Sequence, residues 1–284
     1  MKRIATIQDI SCFGKCSITV SLPIVSAMGV ECCIVPTSLL STHTGGFTGY
    51  TFRDLSDEIL PIAEHWKSID LSLDAIYTGY LGSKRQIDLV KSFIGMTAKP
   101  STMIFVDPAM ADNGVLYKGF DGDFPAKMLE LCACADVVCP NITEAALLLG
   151  MPYRKAGEYG ENYIHSLIDG FVKLGVKTVV ITGVKYGDGK HGAVAYSEKD
   201  GSYVSYFTDD IPKSFHGTGD TFSSVLCGAL VKGASVLDAI KCAVDFTVAC
   251  IEETMPDVEN HPYGVKFEPC LPQLCEMVHR FDEE

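Results

Sequence analysis

The stretch "HGTGDTFSS", residues 216–224, joins a glycine-rich turn to an apolar helical pattern. Apolar residues recur at helical spacing within and after it: Phe222, Val225, Leu226, Ala229 and Leu230. Gly233 is a suitable end for such a helix. The turn therefore lies at a helix N-terminus, where unpaired N–H groups and the positive end of the helix dipole attract anions. Gly217 and Gly219, which lack side chains, let this backbone approach a phosphate closely.

Asp220 is the unusual residue of this turn. A carboxylate beside an anion site repels the ligand, unless it accepts a proton from an attacking hydroxyl group. The pattern then indicates phosphoryl transfer, in which the N–H groups stabilise the developing charge and Asp220 activates the nucleophile. The alternative is an ordinary helix terminus, where the dipole favours an acidic cap residue.

Short apolar runs alternate with amphipathic segments along the rest of the chain. The runs that indicate strands are "RIATIQ", "ECCIVPTS", "LDAIYTGY", "TMIFVDP", "ADVVCPN" and "KTVVITG". Apolar strands separated by helices predict a parallel sheet that is covered on both faces. The segment 192–209 alternates around "KDG" and predicts an antiparallel hairpin. Since no linker or composition break divides the chain, we expect residues 1–284 to form one doubly wound α/β domain.

Composition limits the function classes. The chain has 284 residues and a formal net charge of −13 at pH 7, which argues against a general binder of nucleic acid or anionic membranes. It has no apolar stretch of signal-peptide or membrane-span length, so we expect a cytoplasmic protein without membrane partners. The twelve cysteines contain no repeated CxxC pair, which argues against a zinc site. We expect them to be reduced and to act as small hydrophobic residues.

Polar residues follow most of the predicted strands, and ligands bind beyond the carboxyl ends of strands in such sheets. These residues are Asp9, the tripeptide Thr78-Gly79-Tyr80, Asp107 with Asp112, Asn141 with Glu144, and Thr182. The two aspartates fit either a Mg²⁺ site or a turn built from turn-forming residues. Asn141 and Glu144 fit either a metal or phosphate site or an ordinary capping box.

Two further motifs bear on ligand binding. No GxxxxGK[ST] stretch occurs, which excludes a P-loop nucleotide site. The glycine-rich segment 45–52, "GGFTGYTF", is expected to form a mobile flap over a ligand. His43 and His216 are each more typical of structural hydrogen bonding than of catalysis.

Together these stretches resemble the pyridoxal kinase (vitamin B6 kinase) family of the ribokinase-like superfamily. The superfamily resemblance rests on "GTGD" (217–220) before an amphipathic helix. The family resemblance rests on "STHTGGFTGY" (41–50), "YTGYLGS" (77–83), "DPAMADNGVLY" (107–117) and "VCPNITEAALLLG" (138–150). It covers residues 4–255 and implies a ribokinase-like three-layer α/β/α fold, with helices on both faces of a mainly parallel sheet.

The resemblance also implies an activity, the ATP-dependent phosphorylation of the 5′-hydroxymethyl group of pyridoxal, pyridoxamine or pyridoxine. Asp220 would be the base that takes the proton from this hydroxyl. The backbone of Gly217, Thr218 and Gly219 would form the anion hole for the transferred phosphoryl group. ATP, Mg²⁺ and a monovalent cation are the cofactors that the resemblance implies, and a homodimer is the implied assembly.

The family's binding residues can be placed on matching positions of this chain. Those implied near the ATP phosphates are Asp107, Asn141, Glu144 and Thr182, with Asp112 placed more loosely. Asp107 and Glu144 would be the residues nearest the metal. Those implied in the B6 pocket are Asp9, Ser38, His43, Thr44 and Tyr80.

The stretch 8–17, "QDISCFGKCS", departs from the family pattern because Asp9 stands where these kinases usually have a serine. An acidic residue there, like His216 before "GTGD", resembles the hydroxymethylpyrimidine kinases, which act on a thiamine precursor. That activity is the alternative on the same fold. A sugar kinase fits less well, since 41–50 and 77–83 resemble aromatic-ring pocket stretches. A non-catalytic B6-binding regulatory protein is the alternative of another class, and the intact "GTGD" argues against it.

Overall fold

Nine strands form one sheet in the computed structural model, which describes residues 1–282. Together with a separate two-stranded hairpin, the strands of these residues are β1 Arg3–Ser11, β2 Glu31–Leu40, β3 Phe52–Asp54, β4 Ala75–Thr78, β5 Met103–Val106, β6 Ala111–Asp112, β7 Val115–Leu116, β8 Val137–Val138, β9 Thr178–Val184, β10 Lys190–Ser197 and β11 Ser202–Asp209. Their spatial order is β11-β10-β9-β8-β5-β4-β1-β2-β3, with β6 and β7 forming a separate small hairpin. The six neighbouring strands β9, β8, β5, β4, β1 and β2 are parallel. Strand β3 is antiparallel to β2, and β10 is antiparallel to both β9 and β11. The predicted parallel sheet and the hairpin at 192–209 are confirmed.

Helices cover both faces of the sheet. They are α1 Ile18–Ala27, α2 Ser56–Ser68, α3 Lys84–Thr97, α4 Phe124–Cys132, α5 Ile142–Leu148, α6 Glu161–Val172, α7 Thr218–Val231, α8 Val236–Thr254 and α9 Leu271–His279. One core contains α2 to α6, and the other contains α1 and α7 to α9. The three-layer architecture predicted from the resemblance is therefore confirmed.

The alternation of side chains along the central strands builds both cores. In β1, Ala5 and Ile7 belong to one core while Ile4 belongs to the other. In β4, Ile76 and Tyr77 likewise belong to opposite cores, and both are fully buried. Burying an aliphatic side chain of this size contributes roughly 1.5–3 kcal/mol, so a strand that is apolar on both faces is stable only in such a covered sheet.

The cysteines are all free in the structure, and only half of them are buried. The buried ones are Cys132, Cys139, Cys227, Cys242, Cys250 and Cys270. Cys12, Cys134 and Cys275 are exposed, so the prediction of small buried hydrophobic residues does not hold for these three. Within residues 1–282, every helix is too short or too polar to cross a membrane.

The topology brings several chain segments to one edge of the sheet. The parallel strands β1, β4, β5, β8 and β9 all end at this edge. Helix α1 follows β1 and therefore begins there. Strand β11 runs in the direction of β9, because each is antiparallel to β10, and α7 consequently begins at the same edge.

Candidate active site

The N-terminus of α7 is open. Its N-cap residue, Gly217, has a left-handed conformation with φ of 77°, and no side chain caps the helix. A Cβ atom on Gly217 would overlap with the carbonyl oxygen of Lys15, so the turn requires glycine for both its conformation and its packing. The first helical N–H groups have no intrahelical partner, and they point out of the helix together with the positive end of its dipole.

Asp220 lies in the first turn of α7 and is not its cap residue. Burial first, and the negative charge of Asp107 second, raise the pKa of its carboxyl group to about 7. The backbone N–H of Ser17 faces this carboxylate and opposes part of the rise in pKa. A carboxylate with a pKa near neutrality can accept a proton efficiently, as a general base must. The capping alternative for Asp220 is therefore not what the structure shows.

Asp107 lies at the end of β5 and is 7% exposed. Ser223 of α7 donates a hydrogen bond from Oγ to Oδ2 of Asp107 at 2.6 Å. This contact ties the end of β5 to α7, one turn after Asp220. Burial raises the pKa of Asp107 to about 6, although the Ser223 hydroxyl opposes that rise.

Asn141 and Glu144 form a complete capping box at the start of α5. Oδ1 of Asn141 accepts the Glu144 N–H at 2.9 Å, and Oε2 of Glu144 accepts the Asn141 N–H at 2.8 Å. Oε1 of Glu144 also accepts N–H groups of Met110 at 3.0 Å and Ala111 at 3.5 Å. Burial and the charge of Asp107 hold the pKa of Glu144 well above its usual range. Both oxygens thus accept backbone N–H groups, and Glu144 fixes the turn after β5. The role beside a metal that the resemblance implied for Glu144 stays a prediction.

The remaining residues placed near ATP lie along the same edge. Asn141 donates from Nδ2 to the Ala111 carbonyl at 2.9 Å, so its amide is also engaged. Thr182, in β9, forms a bridge with Asn141 and donates its N–H to the Pro140 carbonyl at 3.0 Å. Asp112 is exposed and accepts hydrogen bonds from the backbone and side chain of Asn113, which places it outside the group of buried carboxylates.

The carboxylates fit a metal ion only in a limited way. Among residues 1–282, no group of three or more histidine, cysteine, aspartate or glutamate side chains could hold a metal ion. Mg²⁺ in kinases is usually bound by one or two carboxylates together with phosphate oxygens of the substrate. The residues at this edge therefore fit an ion that is held mainly by a nucleotide, with Asp107 as the available carboxylate.

Asp9 lies near the end of β1 and is 5% exposed. Its Oδ1 accepts a hydrogen bond from Ser17 Oγ at 2.5 Å, and its Oδ2 accepts one from Ser11 Oγ at 2.9 Å. Burial raises the pKa of Asp9, and both hydroxyls oppose this rise. Tyr80 is close enough for the charge of Asp9 to affect it, since burial first and Asp9 second raise the pKa of Tyr80 to about 12. Ser38 is buried in β2.

The structure gives His43 a structural role. Its Nδ1 accepts the N–H of Gly45 at 3.1 Å, so the proton lies on Nε2, which donates to the Tyr263 carbonyl at 2.9 Å. Burial lowers the pKa of His43, which keeps the ring neutral. Both ring nitrogens are thus bonded to backbone groups. The place in the substrate pocket that the resemblance implied for His43 stays a prediction. Thr44, its neighbour, is exposed.

Four residues of the site were missed in the sequence: Lys15, Ser17, Ser223 and Tyr263. Ser17 carried a partial signal, because a serine directly before an apolar helical run is a typical N-cap. It is the N-cap residue of α1, but its hydroxyl bonds to Asp9 and not to the helix. The other three carried no signal. Their roles arise from contacts between segments that are more than 100 residues apart, such as the hydrogen bond from the Lys15 N–H to the Tyr263 carbonyl.

Comparison with known proteins decides the family. A model of the phosphomethylpyrimidine kinase family matches residues 6–264. The chain belongs to this family. A candidate phosphomethylpyrimidine kinase from Bacteroides thetaiotaomicron, crystallised with pyridoxal, is similar with a TM-score of 0.90 and 37% identity, covering 96% of this chain and 95% of that chain. The fold is also that of pyridoxal kinase from Lactobacillus plantarum, with a TM-score of 0.87, 28% identity and 99% coverage of both chains.

The curated relatives of this chain include proteins named for vitamin B6 and proteins named for thiamine. A pyridoxine kinase from Bacillus subtilis is 31% identical over 190 residues, which are 66% of each chain. The chain spans less than half the length of the plant thiamine biosynthetic bifunctional enzymes that it also matches. The family and the fold are thus established, whereas the substrate is a separate question.

Proposed function

We propose that this kinase transfers the terminal phosphoryl group of ATP to the 5′-hydroxymethyl group of pyridoxal, pyridoxamine or pyridoxine. The observation that carries the proposal is the open N-terminus of α7, where Gly217 is uncapped and Asp220 has a pKa of about 7. The presence of pyridoxal in the Bacteroides relative, and the name of the Bacillus relative, support a B6 vitamer as the acceptor.

The proposed reaction is a single displacement. The oxygen of the hydroxymethyl group attacks the terminal phosphorus of ATP, and the bond from that phosphorus to the leaving ADP oxygen breaks. Asp220 takes the proton of the attacking hydroxyl, and the products are the 5′-phosphate ester and ADP. The N–H groups of Thr218 and Gly219, at the positive end of α7, stabilise the charge on the transferred group.

Some residues of this region contact the nucleotide, and others hold the contacting residues in place. We place Asp107, Thr182 and Asn141 near the ATP phosphates, and Asp107 beside a Mg²⁺ ion that the phosphates carry. Mg²⁺ would neutralise part of the phosphate charge. Glu144 supports this region by holding the backbone of Met110 and Ala111. Asp112 is too exposed to be part of the buried group.

The vitamer pocket lies at the ends of β1, β2 and β4. We place the ring near Ser38, Thr44 and Tyr80, with Asp9 behind it. Tyr80 packs on Phe120 with ring centroids 5.6 Å apart, and this aromatic wall suits a flat ring. His43 shapes the pocket from the 43–47 loop through its two backbone hydrogen bonds.

A hydroxymethylpyrimidine kinase is the second candidate, and two observations favour it. The family model that matches is that of phosphomethylpyrimidine kinase, and Asp9 is acidic where the vitamin B6 kinases usually have serine. Both acceptors present a hydroxymethyl group on a flat heteroaromatic ring, so the same base and anion hole serve either reaction.

The test is an acceptor panel. The purified protein is incubated with ATP and Mg²⁺ and with pyridoxal, pyridoxamine, pyridoxine or hydroxymethylpyrimidine, and phosphate esters are measured. We expect kcat/KM for the best B6 vitamer to exceed that for the pyrimidine by at least about tenfold. Turnover of the pyrimidine alone would overturn the proposal, and B6 binding without any turnover would indicate a regulatory protein. Omitting Mg²⁺, and then adding K⁺ or Na⁺, tests the two ions that the resemblance implies.

We further propose a cytoplasmic homodimer in which residues 1–284 form one ribokinase-like domain. The outer edge of the sheet supports a dimer, because Ile34 and Leu39 of β2 and Phe52 of β3 are exposed hydrophobic residues on neighbouring strands. Light scattering on the eluting protein distinguishes one chain from two.

A further inference from the structure

Ser17 has an unusual backbone conformation for a residue with a side chain. Its φ is 56° and its ψ is −133°. These angles are close to those of the first central residue of a type II′ turn, a position that glycine normally occupies. Ser17 is 3% exposed. Such conformations are costly, persist only where the surroundings enforce them, and cluster at functional sites.

The side chain of Ser17 is held by Asp9, next to a backbone bridge between Ile10 and Ser17. The Ser17 hydroxyl donates to Oδ1 of Asp9 at 2.5 Å, while Ser11 donates to Oδ2 from within the same strand. Asp9 is therefore anchored by Ser11 and in turn anchors Ser17 at the junction of β1 and α1. The hydroxyl makes no capping bond to α1, so the anchoring of Ser17 is separate from the start of that helix.

The segment 14–17 packs directly against the turn that begins α7. The carbonyl oxygen of Lys15 lies where a side chain on Gly217 would be, and the N–H of Lys15 donates to the Tyr263 carbonyl at 3.1 Å. The Ser17 N–H faces the carboxylate of Asp220. A rotation of the Ser17 backbone would thus move two groups that contact the 217–220 turn.

We propose that Ser17 is a positioning residue: anchored on Asp9, it holds segment 14–17 in the one conformation that sets Lys15 against Gly217 and orients Asp220. This inference rests on the proposed function only in assigning the chemistry to the 217–220 turn. It gives Asp9 a role through Ser17, in addition to any contact with the substrate ring.

Two variants separate backbone conformation from the lost hydroxyl. Ser17→Ala and Ser17→Gly both remove the hydrogen bond to Asp9, but only glycine adopts φ near 56° without strain. We expect Ser17→Ala to lower kcat by about 10- to 50-fold with KM for ATP within about threefold, and Ser17→Gly to retain at least a third of the wild-type kcat. Ser21→Ala is the matched control, because Ser21 is a buried serine of α1 whose hydroxyl faces Thr6.

Hydrogen exchange of peptides covering 214–221 gives a readout that needs no acceptor. We expect faster exchange there in Ser17→Ala than in wild type, with Ser17→Gly and Ser21→Ala close to wild type. Equal behaviour of the alanine and glycine variants in both measurements, or an unaffected Ser17→Ala, would overturn the positioning role. If wild type turns over no acceptor, the proposed function fails, and the exchange data alone then decide on Ser17.

Discussion

Helices α5 and α7 begin at the same edge of the sheet, and each has a carboxylate in its first turn, but the two carboxylates make different contacts. Helix α5 begins with Asn141 and has Glu144 in its first turn, while α7 begins with Gly217 and has Asp220 at the third helical position. In α5 the carboxylate accepts three backbone N–H groups and closes the terminus. In α7 no side chain caps the terminus.

The difference shows what separates a structural carboxylate from a reactive one. Glu144 has its oxygens committed, so removing it leaves buried donors without acceptors. Asp220 has a pKa of about 7, lies beside open helix N–H groups and faces the Ser17 N–H, so replacing it by asparagine keeps an oxygen for that N–H but takes away a proton acceptor. Substitutions in α7 should therefore affect turnover, and substitutions in α5 should affect stability.

The largest expected effect is on turnover at α7. Asp220→Asn keeps the shape of the side chain but removes the group that accepts the proton, and we expect kcat to fall by at least about 100-fold. The dissociation constant for ATP should change by less than about threefold, because the helix N–H groups remain. Steady-state kinetics with the best acceptor, together with calorimetric titration of ATP, measure the two quantities.

The matched control is Asp200→Asn, an exposed aspartate in the β10–β11 turn at the opposite edge of the sheet. It should leave both kcat and ATP binding unchanged. If Asp220→Asn retained near-normal turnover, the α7 carboxylate would not be reactive in the way proposed, and Asp220 would no longer be the candidate base.

The next largest expected effect is at α5, and it is on stability instead of turnover. Glu144→Ala leaves the N–H groups of Met110, Ala111 and Asn141 without acceptors in a buried region, which should cost about 3 kcal/mol of unfolding free energy. The melting temperature should fall by about 6–10 °C. Thermal unfolding followed by circular dichroism measures this change.

Glu144→Gln is the discriminating variant at this position. It keeps one oxygen acceptor for the backbone, so it should lose less than half as much stability as Glu144→Ala. Its kcat at saturating Mg²⁺, and the Mg²⁺ concentration for half-maximal activity, should both stay within about threefold of wild type. A tenfold rise in that Mg²⁺ concentration would instead show that Glu144 contacts the ion.

The same contrast explains how far the sequence could predict the site. The apolar runs predicted the parallel sheet, and the glycines of 217–220 predicted the helix N-terminus, because both signals are local. For Asn141 and Glu144 the local pattern fitted a capping box as well as a ligand site. The capping box is present, and its further contacts with the 107–112 turn could not be predicted from the pattern. The contacts of Asp9 and His43 could not be predicted. They depend on a β-bulge between Gln8 and Ile10 and on the carbonyl of Tyr263, which lies 220 residues from His43.

The smallest expected effect is the pH dependence of stability at α7. Because the folded-state pKa of Asp220 is raised from 3.8 to about 7, the native state holds a proton there that the unfolded chain releases near pH 4. The associated stability is complete below about pH 4 and is lost as the pH rises through 7. Asp220→Asn should therefore raise the melting temperature relative to wild type by about 2–4 °C at pH 8, since Asp220 is only partly buried. At pH 4 the two proteins should melt within about 1 °C of each other, and Asp200→Asn should show no such dependence at either pH. A difference that is equal at both pH values would mean that Asp220 is already ionised at pH 4, and the proposed proton acceptor would then be a weaker base than the structure indicates.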